Sequence, residues 1–98
     1  GTFDAQTPVQ YGREMGERFS ADNQYYFEVE HGSHGLERGS HEVSEGLTCG
    51  THIVNQFLED PSTRPDGDCA DDPPPWKFGA SDELLMELLG HTDVWENP

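Results

Sequence analysis

Residues 24–30 read QYYFEVE and contain the clearest strand pattern of the chain, and HGSHG follows directly at residues 31–35. Within the first part, the side chains at positions 25, 27 and 29 are apolar and alternate with those at 26, 28 and 30, which is the period of a half-buried β-strand. A helix pattern precedes it, and this order suits a parallel crossover. We therefore expect an α/β fold in which residues 24–30 form one edge-type strand of an incomplete sheet, whose backbone needs a partner.

A helix is predicted on the N-terminal side of this strand. Thr7 is a suitable N-cap, the proline after it suits the first helical position, and Gln10 completes a capping box. We expect the helix to run to about Phe19. Its glycines at positions 12 and 16 leave a smooth stripe that a strand can approach closely.

Two more helices are predicted toward the C-terminus. One runs from about Thr48 to Leu58, and the other starts after the N-cap Ser81 and ends at Gly90. Residues 31–46 have neither a helical nor a strand period, so we expect a loop there. A chain of this length has room for one small domain with a thin core.

The composition restricts the classes of partner. Five Lys and Arg against twenty Asp and Glu give a formal net charge of −15, and only 32% of the residues are hydrophobic. So negative a chain binds nucleic acid backbones and anionic lipid unfavourably, and we expect no nucleic acid and no membrane partner. No stretch approaches the roughly twenty apolar residues of a transmembrane helix.

Cys49 and Cys69 are the only cysteines. An even number without the close spacing of a metal site favours a disulfide, although two free buried thiols are also compatible with the sequence. Disulfides persist in oxidising compartments, so we expect a secreted, periplasmic or cell-surface protein. The first thirty residues have no signal-peptide pattern, and any signal is expected upstream of Gly1.

Two residues are candidates for acid–base chemistry: Asp4, in GTFDAQTP at residues 1–8, and His34, in HGSHG. A carboxylate that orients an imidazole, which takes a proton from a nucleophile, is the arrangement of a hydrolytic triad. Asp4 would alternatively form an Asx turn or a cap near the helix start. The third member, a serine within G-x-S-x-G, is absent, because none of the six serines has this context.

His31 competes with His34 for the role of the base, because both follow the predicted strand. The small residues around His34 favour it, since the loop must bend tightly there. A metal site is a weaker alternative, in which His31, His34 and either Glu37 or His41 supply ligands of the kind that zinc accepts. Neither H-E-x-x-H nor C-x-x-C occurs, and we expect no cofactor.

The order G-x-x-D-x-x-T-P, helix, strand and G-S-H-G resembles the C-terminal end of the α/β-hydrolase fold. Further on, Cys49, a helix ending in FLEDP at residues 57–61, Cys69, a proline cluster and Phe78 are similar to the TAP-like C-terminal region of serine hydrolases related to tripeptidyl aminopeptidases. The resemblance covers residues 1–78. Residues 79–98, a leucine-rich helix and a tail, have no counterpart in it.

The resemblance implies that Asp4 is the triad acid, that His34 is the general base and that the substrate is a peptide or an ester. It also implies that the nucleophile precedes Gly1. The chain is then the C-terminal fragment of a secreted serine hydrolase of the exopeptidase or esterase type, inactive alone and completed by the missing N-terminal portion. The alternative is a small acidic module for binding or for self-association through the edge strand, with or without a bound metal and without catalytic activity.

Overall fold

The computed structural model describes residues 1–75 and 80–92. The elements in these ranges are α1 (Val9–Arg18), α2 (Leu36–Gly39), β1 (Glu42–Ser44), β2 (Leu47–Thr48), α3 (Cys49–Glu59), α4 (Asp68–Asp71) and α5 (Asp82–Leu89). The strands β1 and β2 form a short antiparallel hairpin, with Glu42 opposite Thr48 and Ser44 opposite Leu47. Its turn contains Gly46 at a φ of 72°, a conformation that glycine adopts without strain.

Residues 24–30 do not form a strand, so the prediction of a strand here is wrong for the part of the chain that the structure describes. A strand exists only when a neighbour exchanges hydrogen bonds with it, and no described segment lies alongside to do so. The alternation of side chains is nevertheless present. Val29 is buried and Tyr25 and Phe27 are half-buried, whereas Tyr26 is exposed.

Helix α1 starts differently from the prediction. Pro8 stands at the N-cap position without a side-chain cap, and the expected capping box of Thr7 and Gln10 does not form. The carboxylate of Asp4 instead binds amides that precede the helix, because its Oδ1 accepts hydrogen bonds from the amides of Gln6 at 2.9 Å and Thr7 at 2.8 Å. The Asx turn at Asp4 is therefore present.

Helix α1 packs on the segment 24–30 through its glycine stripe, as the sequence predicts. The ring of Tyr26 lies over Gly12 and Gly16. Next to it, the guanidinium of Arg13 donates two hydrogen bonds to the carboxylate of Glu28, at 2.7 Å from Nε and 2.5 Å from Nη2. The segment therefore contacts α1 with the face opposite to Val29.

We expect the two glycines of this stripe to respond differently to alanine. A Cβ at position 16 would lie 2.8 Å from Cγ of Tyr26, whereas the nearest atom to one at position 12 would be the Tyr26 hydroxyl, at 3.2 Å. Gly16→Ala should therefore lower the free energy of unfolding by about 1–2 kcal/mol, because overpacking costs more than the helix propensity of alanine contributes. Gly12→Ala, its matched control, should be neutral or stabilising. Urea denaturation followed by circular dichroism tests this, and equal stabilities would contradict the packing.

The core lies on the other side of the segment. It consists of Val29, Cys49, Ile53 and Ala70, with Phe27, Leu36 and Cys69 partly buried around them. This is a small core, and the Cα radius of gyration of 17.6 Å exceeds the roughly 13 Å of a compact chain of 100 residues. Many apolar side chains remain exposed, including Leu58 and Leu88 at 69% each.

Residues 31–46 contain more regular structure than the predicted loop, namely α2 and the strand β1. Gly35 enters α2 at a φ of 72°. The hydroxyl of Ser40 then connects two elements, since it donates to the carbonyl of Leu36 at 2.6 Å and accepts from the amide of Gly50 at 2.9 Å. These contacts join positions up to ten residues apart, so a local sequence period does not reveal them.

The bounds of helices α3 and α5 agree with the predicted bounds to within one residue. Thr48 caps α3 by accepting a hydrogen bond from the amide of Thr51 at 3.3 Å. Ser81 caps α5 in the same way through Leu84, and Gly90 ends that helix at a φ of 77°. Phe78 and the predicted boundary after residue 78 lie outside the described residues.

Candidate functional site

The two predicted site residues lie side by side. Nδ1 of His34 is 3.0 Å from Oδ2 and 3.2 Å from Oδ1 of Asp4, thirty positions away in the chain. The side chain of Asp4 is 11% exposed and that of His34 is 51% exposed. Because an ionised carboxylate only accepts hydrogen bonds, Nδ1 must carry the proton, and the second ring nitrogen is free of one in the neutral imidazole.

Asp4 is held in place because the residues before it lie along residues 29–32. The amide of Thr2 donates to the carbonyl of Val29 at 3.1 Å, and the amide of Phe3 donates to the carbonyl of Gly32 at 2.9 Å. In the other direction, the amide of His31 donates to the hydroxyl of Thr2 at 2.7 Å. The acid and the base are thus positioned by the same pair of segments.

The loop that carries His34 is also tied to the rest of the chain. The amide of Ser33 donates to the carbonyl of Gly39 at 2.8 Å, across the turn formed by α2. His31 lies at a φ of 59°, in the left-handed region that few side chains adopt, and its ring stacks on Phe3 with centroids 5.1 Å apart. Such strain persists only where the surroundings hold it, and here the bond to Thr2 and the stacked ring do so.

The surroundings of Asp4 lower the pKa of its carboxyl and so favour the ionised form. The hydrogen bond from the Thr7 amide is the main influence that lowers the pKa of the Asp4 carboxyl below its ordinary 3.8. Partial burial opposes this shift, and the bonds from His34 and from the Gln6 amide add to it. All three donors favour the charged carboxylate over the acid.

We therefore expect an acid-dependent contribution of Asp4 to stability. Its pKa is lower in the folded chain than in the unfolded chain, so its contribution is complete above about pH 4 and is lost as the pH falls through the folded value. The difference in unfolding free energy between wild type and Asp4→Asn should shrink over this range. Urea denaturation at a series of pH values measures it, and a difference that does not change with pH would contradict the proposed environment.

The metal alternative is not supported by the described residues. Within residues 1–75 and 80–92, no three histidine, cysteine, aspartate or glutamate side chains are grouped as a metal site requires. His34 is directed to Asp4, and Nε2 of His31 lies 4.0 Å from Glu30. The ligands that the sequence suggested are thus not brought together.

No described hydroxyl is placed to act as the nucleophile. Ser33, next to His34, has its Oγ 3.5 Å from the carbonyl of His34 and 3.4 Å from that of Gly39. Across the described ranges, no serine or threonine makes a hydrogen bond to the ring of His34. The pair can hold and transfer a proton, but it contains no group that attacks a carbonyl.

Sequence reasoning missed Thr2 and Phe3, which fix the backbone around His31. Their contacts span 27 to 29 positions, and no local motif marks them. The amides that bind Asp4 belong to the Asx turn, which the pattern Asp-x-x-Thr does indicate.

The predicted disulfide between Cys49 and Cys69 is present. It joins α3 to α4, and Cys49 is fully buried in the core. Disulfides of this kind fit an oxidising compartment. Among the described helices, none combines the length and the apolar character that crossing a membrane requires.

Comparisons with known proteins add no relative. No protein-family model matches this chain, and neither a curated protein nor a solved structure matches it. The chemistry of the site is therefore read from its geometry alone.

Proposed function

We propose that this chain is the C-terminal part of a secreted serine hydrolase, of the exopeptidase or esterase type, and that it supplies the acid and the base of a catalytic triad. The observation that supports this most directly is the contact between Nδ1 of His34 and Oδ2 of Asp4 at 3.0 Å. Asp4 is anchored by two backbone amides on its other side, while His34 is half-exposed. An oriented imidazole with an accessible face is what a general base requires.

The mechanism uses these groups as follows. Nε2 of His34 takes the proton of a serine hydroxyl while that oxygen forms a bond to the substrate carbonyl carbon. The imidazolium then passes this proton to the leaving amine or alcohol as the C–N or C–O bond breaks. Water repeats the sequence on the acyl-enzyme, with His34 again as base. Asp4 remains ionised throughout and stabilises the imidazolium, which its low pKa favours.

The serine and the oxyanion hole belong, in this proposal, to a polypeptide segment outside residues 1–98. We expect the chain alone to be inert toward a fluorophosphonate that labels activated serines. The protein encoded by the reading frame that extends upstream of Gly1 should be labelled, and His34→Ala should abolish the labelling. His41→Ala, in the same loop region, is the matched control and should be labelled normally.

Two results would overturn the proposal. One is labelling of the chain alone, because no described serine contacts the imidazole. The other is normal labelling of the extended protein when His34 is replaced, because the base would then lie elsewhere. In that case the acidic binding or self-association module becomes the better description, and the exposed apolar side chains favour it.

A further inference from the structure

The start of helix α3 takes hydrogen-bond partners from the segment that carries His34. The N–H groups in the first turn of a helix have no partner inside the helix. In α3, the amide of Cys49 donates to the carbonyl of His41 at 2.9 Å. The amide of Gly50 donates to the hydroxyl of Ser40 at 2.9 Å. The end of this segment therefore caps α3 from outside the helix.

The hydroxyl of Ser40 also reaches α2, the short helix that follows His34. Its Oγ donates to the carbonyl of Leu36, the first residue of α2, at 2.6 Å. A Cβ at position 50 would overlap this same carbonyl, so α2 lies directly on the first turn of α3. One part-buried hydroxyl thus joins the two helices, because it accepts a hydrogen bond from α3 and donates one to α2.

Helix α2 in turn holds both chain neighbours of His34. The amide of Gly39, at the end of α2, donates to the carbonyl of Gly35 at 2.8 Å. The carbonyl of Gly39 accepts a hydrogen bond from the amide of Ser33, also at 2.8 Å. Because these two neighbours set the backbone on either side of His34, they also set the direction of its side chain. Ser40 directly follows Gly39, so the anchor of α2 and the clamp on the base are adjacent in the chain.

The first turn of α3 is a fixed reference for these contacts. Cys49 is fully buried in the core, and its disulfide to Cys69 joins α3 to α4. Ile53, one turn further along α3, belongs to the same core. A continuous series of contacts therefore runs from the core through Ser40 and α2 to His34.

We propose that Ser40 is a positioning residue for the general base: its hydroxyl fixes α2 on α3 and thereby keeps Nδ1 of His34 at 3.0 Å from Asp4. Among the described residues, this hydroxyl is bonded to Leu36 and Gly50 and not to the imidazole, so it acts through the backbone. The catalytic consequence rests on the proposed function, whereas the geometric consequence concerns this chain alone.

Two threonine hydroxyls of the same helix start also reach α2, but they duplicate each other. The Oγ1 atoms of Thr48 and Thr51 lie 2.9 and 3.1 Å from one acceptor, the carbonyl of Glu37. When one of them is lost, the other still binds this carbonyl. Ser40 binds a different carbonyl and a different amide, so its loss removes two hydrogen bonds between the helices at once.

Nitrogen NMR of the His34 ring in the 98-residue chain tests the geometric part, at a pH where the imidazole is neutral. In Ser40→Val, solvent exchange of the Nδ1 proton should become at least about ten-fold faster, and the tautomer with the proton on Nε2 should become populated. Ser40→Thr keeps the hydroxyl and should restore the wild-type spectrum. The two variants differ only by a methyl group in place of the hydroxyl, and the extended backbone at position 40 suits both.

Ser40→Ala removes the hydroxyl without adding volume, and it should have the same effect on the ring as Ser40→Val. A measurement on the wild-type chain requires no substitution at all. One opening motion should expose both the Gly50 amide and the Nδ1 proton of His34, so the exchange of both should respond to low urea concentrations with the same slope.

Kinetics of the protein that extends upstream of Gly1 test the catalytic part. Ser40→Val should lower kcat by about ten- to a hundred-fold, because a small displacement of the base disturbs its alignment with the serine. KM should change little, since Ser40 acts through the base. Ser44→Ala, at an exposed serine of β1, is the matched control and should leave both constants unchanged.

Three results would overturn the role of Ser40. One is an unchanged Nδ1 proton in folded Ser40→Val and Ser40→Ala. Another is equal impairment in Ser40→Thr, because volume and not the hydroxyl would then matter. The third is a normal kcat of Ser40→Val in an extended protein whose labelling His34→Ala abolishes. An extended protein that is not labelled even as wild type would instead contradict the proposed function, and the NMR results would still decide whether Ser40 positions His34.

Discussion

Reduction of the disulfide between Cys49 and Cys69 should lower the free energy of unfolding of this chain by about 3 kcal/mol. The two cysteines are 20 positions apart, and closing a loop of this length removes conformational entropy from the unfolded chain. Small domains are stabilised by only about 5–15 kcal/mol in total. With a core of so few buried residues, we expect a large part of the stability to depend on this bond.

Urea denaturation with and without a reductant measures the effect. The double variant Cys49→Ala with Cys69→Ala is the control, because it should resemble the reduced chain and should not respond to reductant. An unchanged denaturation midpoint on reduction would show that packing alone holds α3 against α4.

The same reduction should also disturb the candidate site. The disulfide holds α4, and the carbonyl of Ala70 in α4 accepts the hydrogen bond from Glu30, four positions before His34. Loss of this support should increase the mobility of the loop that carries His34. NMR signals of the His34 ring should therefore broaden or shift on reduction at urea concentrations where the chain is still folded.

Replacement of Asp4 by asparagine should lower kcat of the proposed hydrolase by about four decades. An amide side chain cannot hold Nδ1 in its protonated form as a carboxylate does, so His34 adopts the wrong tautomer and cannot accept the serine proton. KM should change little, because Asp4 stabilises a charge that develops only during the reaction. The assay requires the protein that includes the segment upstream of Gly1.

Asp22→Asn is the matched control for this substitution. Asp22 is exposed and lies in a turn before the segment 24–30, and its replacement should leave kcat unchanged. A loss of less than about ten-fold for Asp4→Asn would show that the carboxylate does not orient the base. Nitrogen NMR of the His34 ring distinguishes a tautomer change from a general loss of structure.

Features encoded by neighbouring residues were accessible from the sequence. Helices α3 and α5 follow from Thr48, Ser81 and Gly90, since capping depends on residues within one turn of the helix end. The disulfide follows from the number of cysteines. The contact between Asp4 and His34 was predicted from a motif order, and its geometry agrees, while its catalytic role stays a proposal.

Features that depend on distant partners were decided by the tertiary structure. The period of residues 24–30 describes which side chains face inward, but a strand also needs a neighbour, and no described segment provides one. Likewise, Asp4 rather than Thr7 binds the amides before α1, and Thr2 holds His31 from 29 positions away. The physical reason is the same in each case: local patterns set side-chain periodicity and caps, whereas hydrogen bonds between remote segments depend on which surfaces the packed chain brings together.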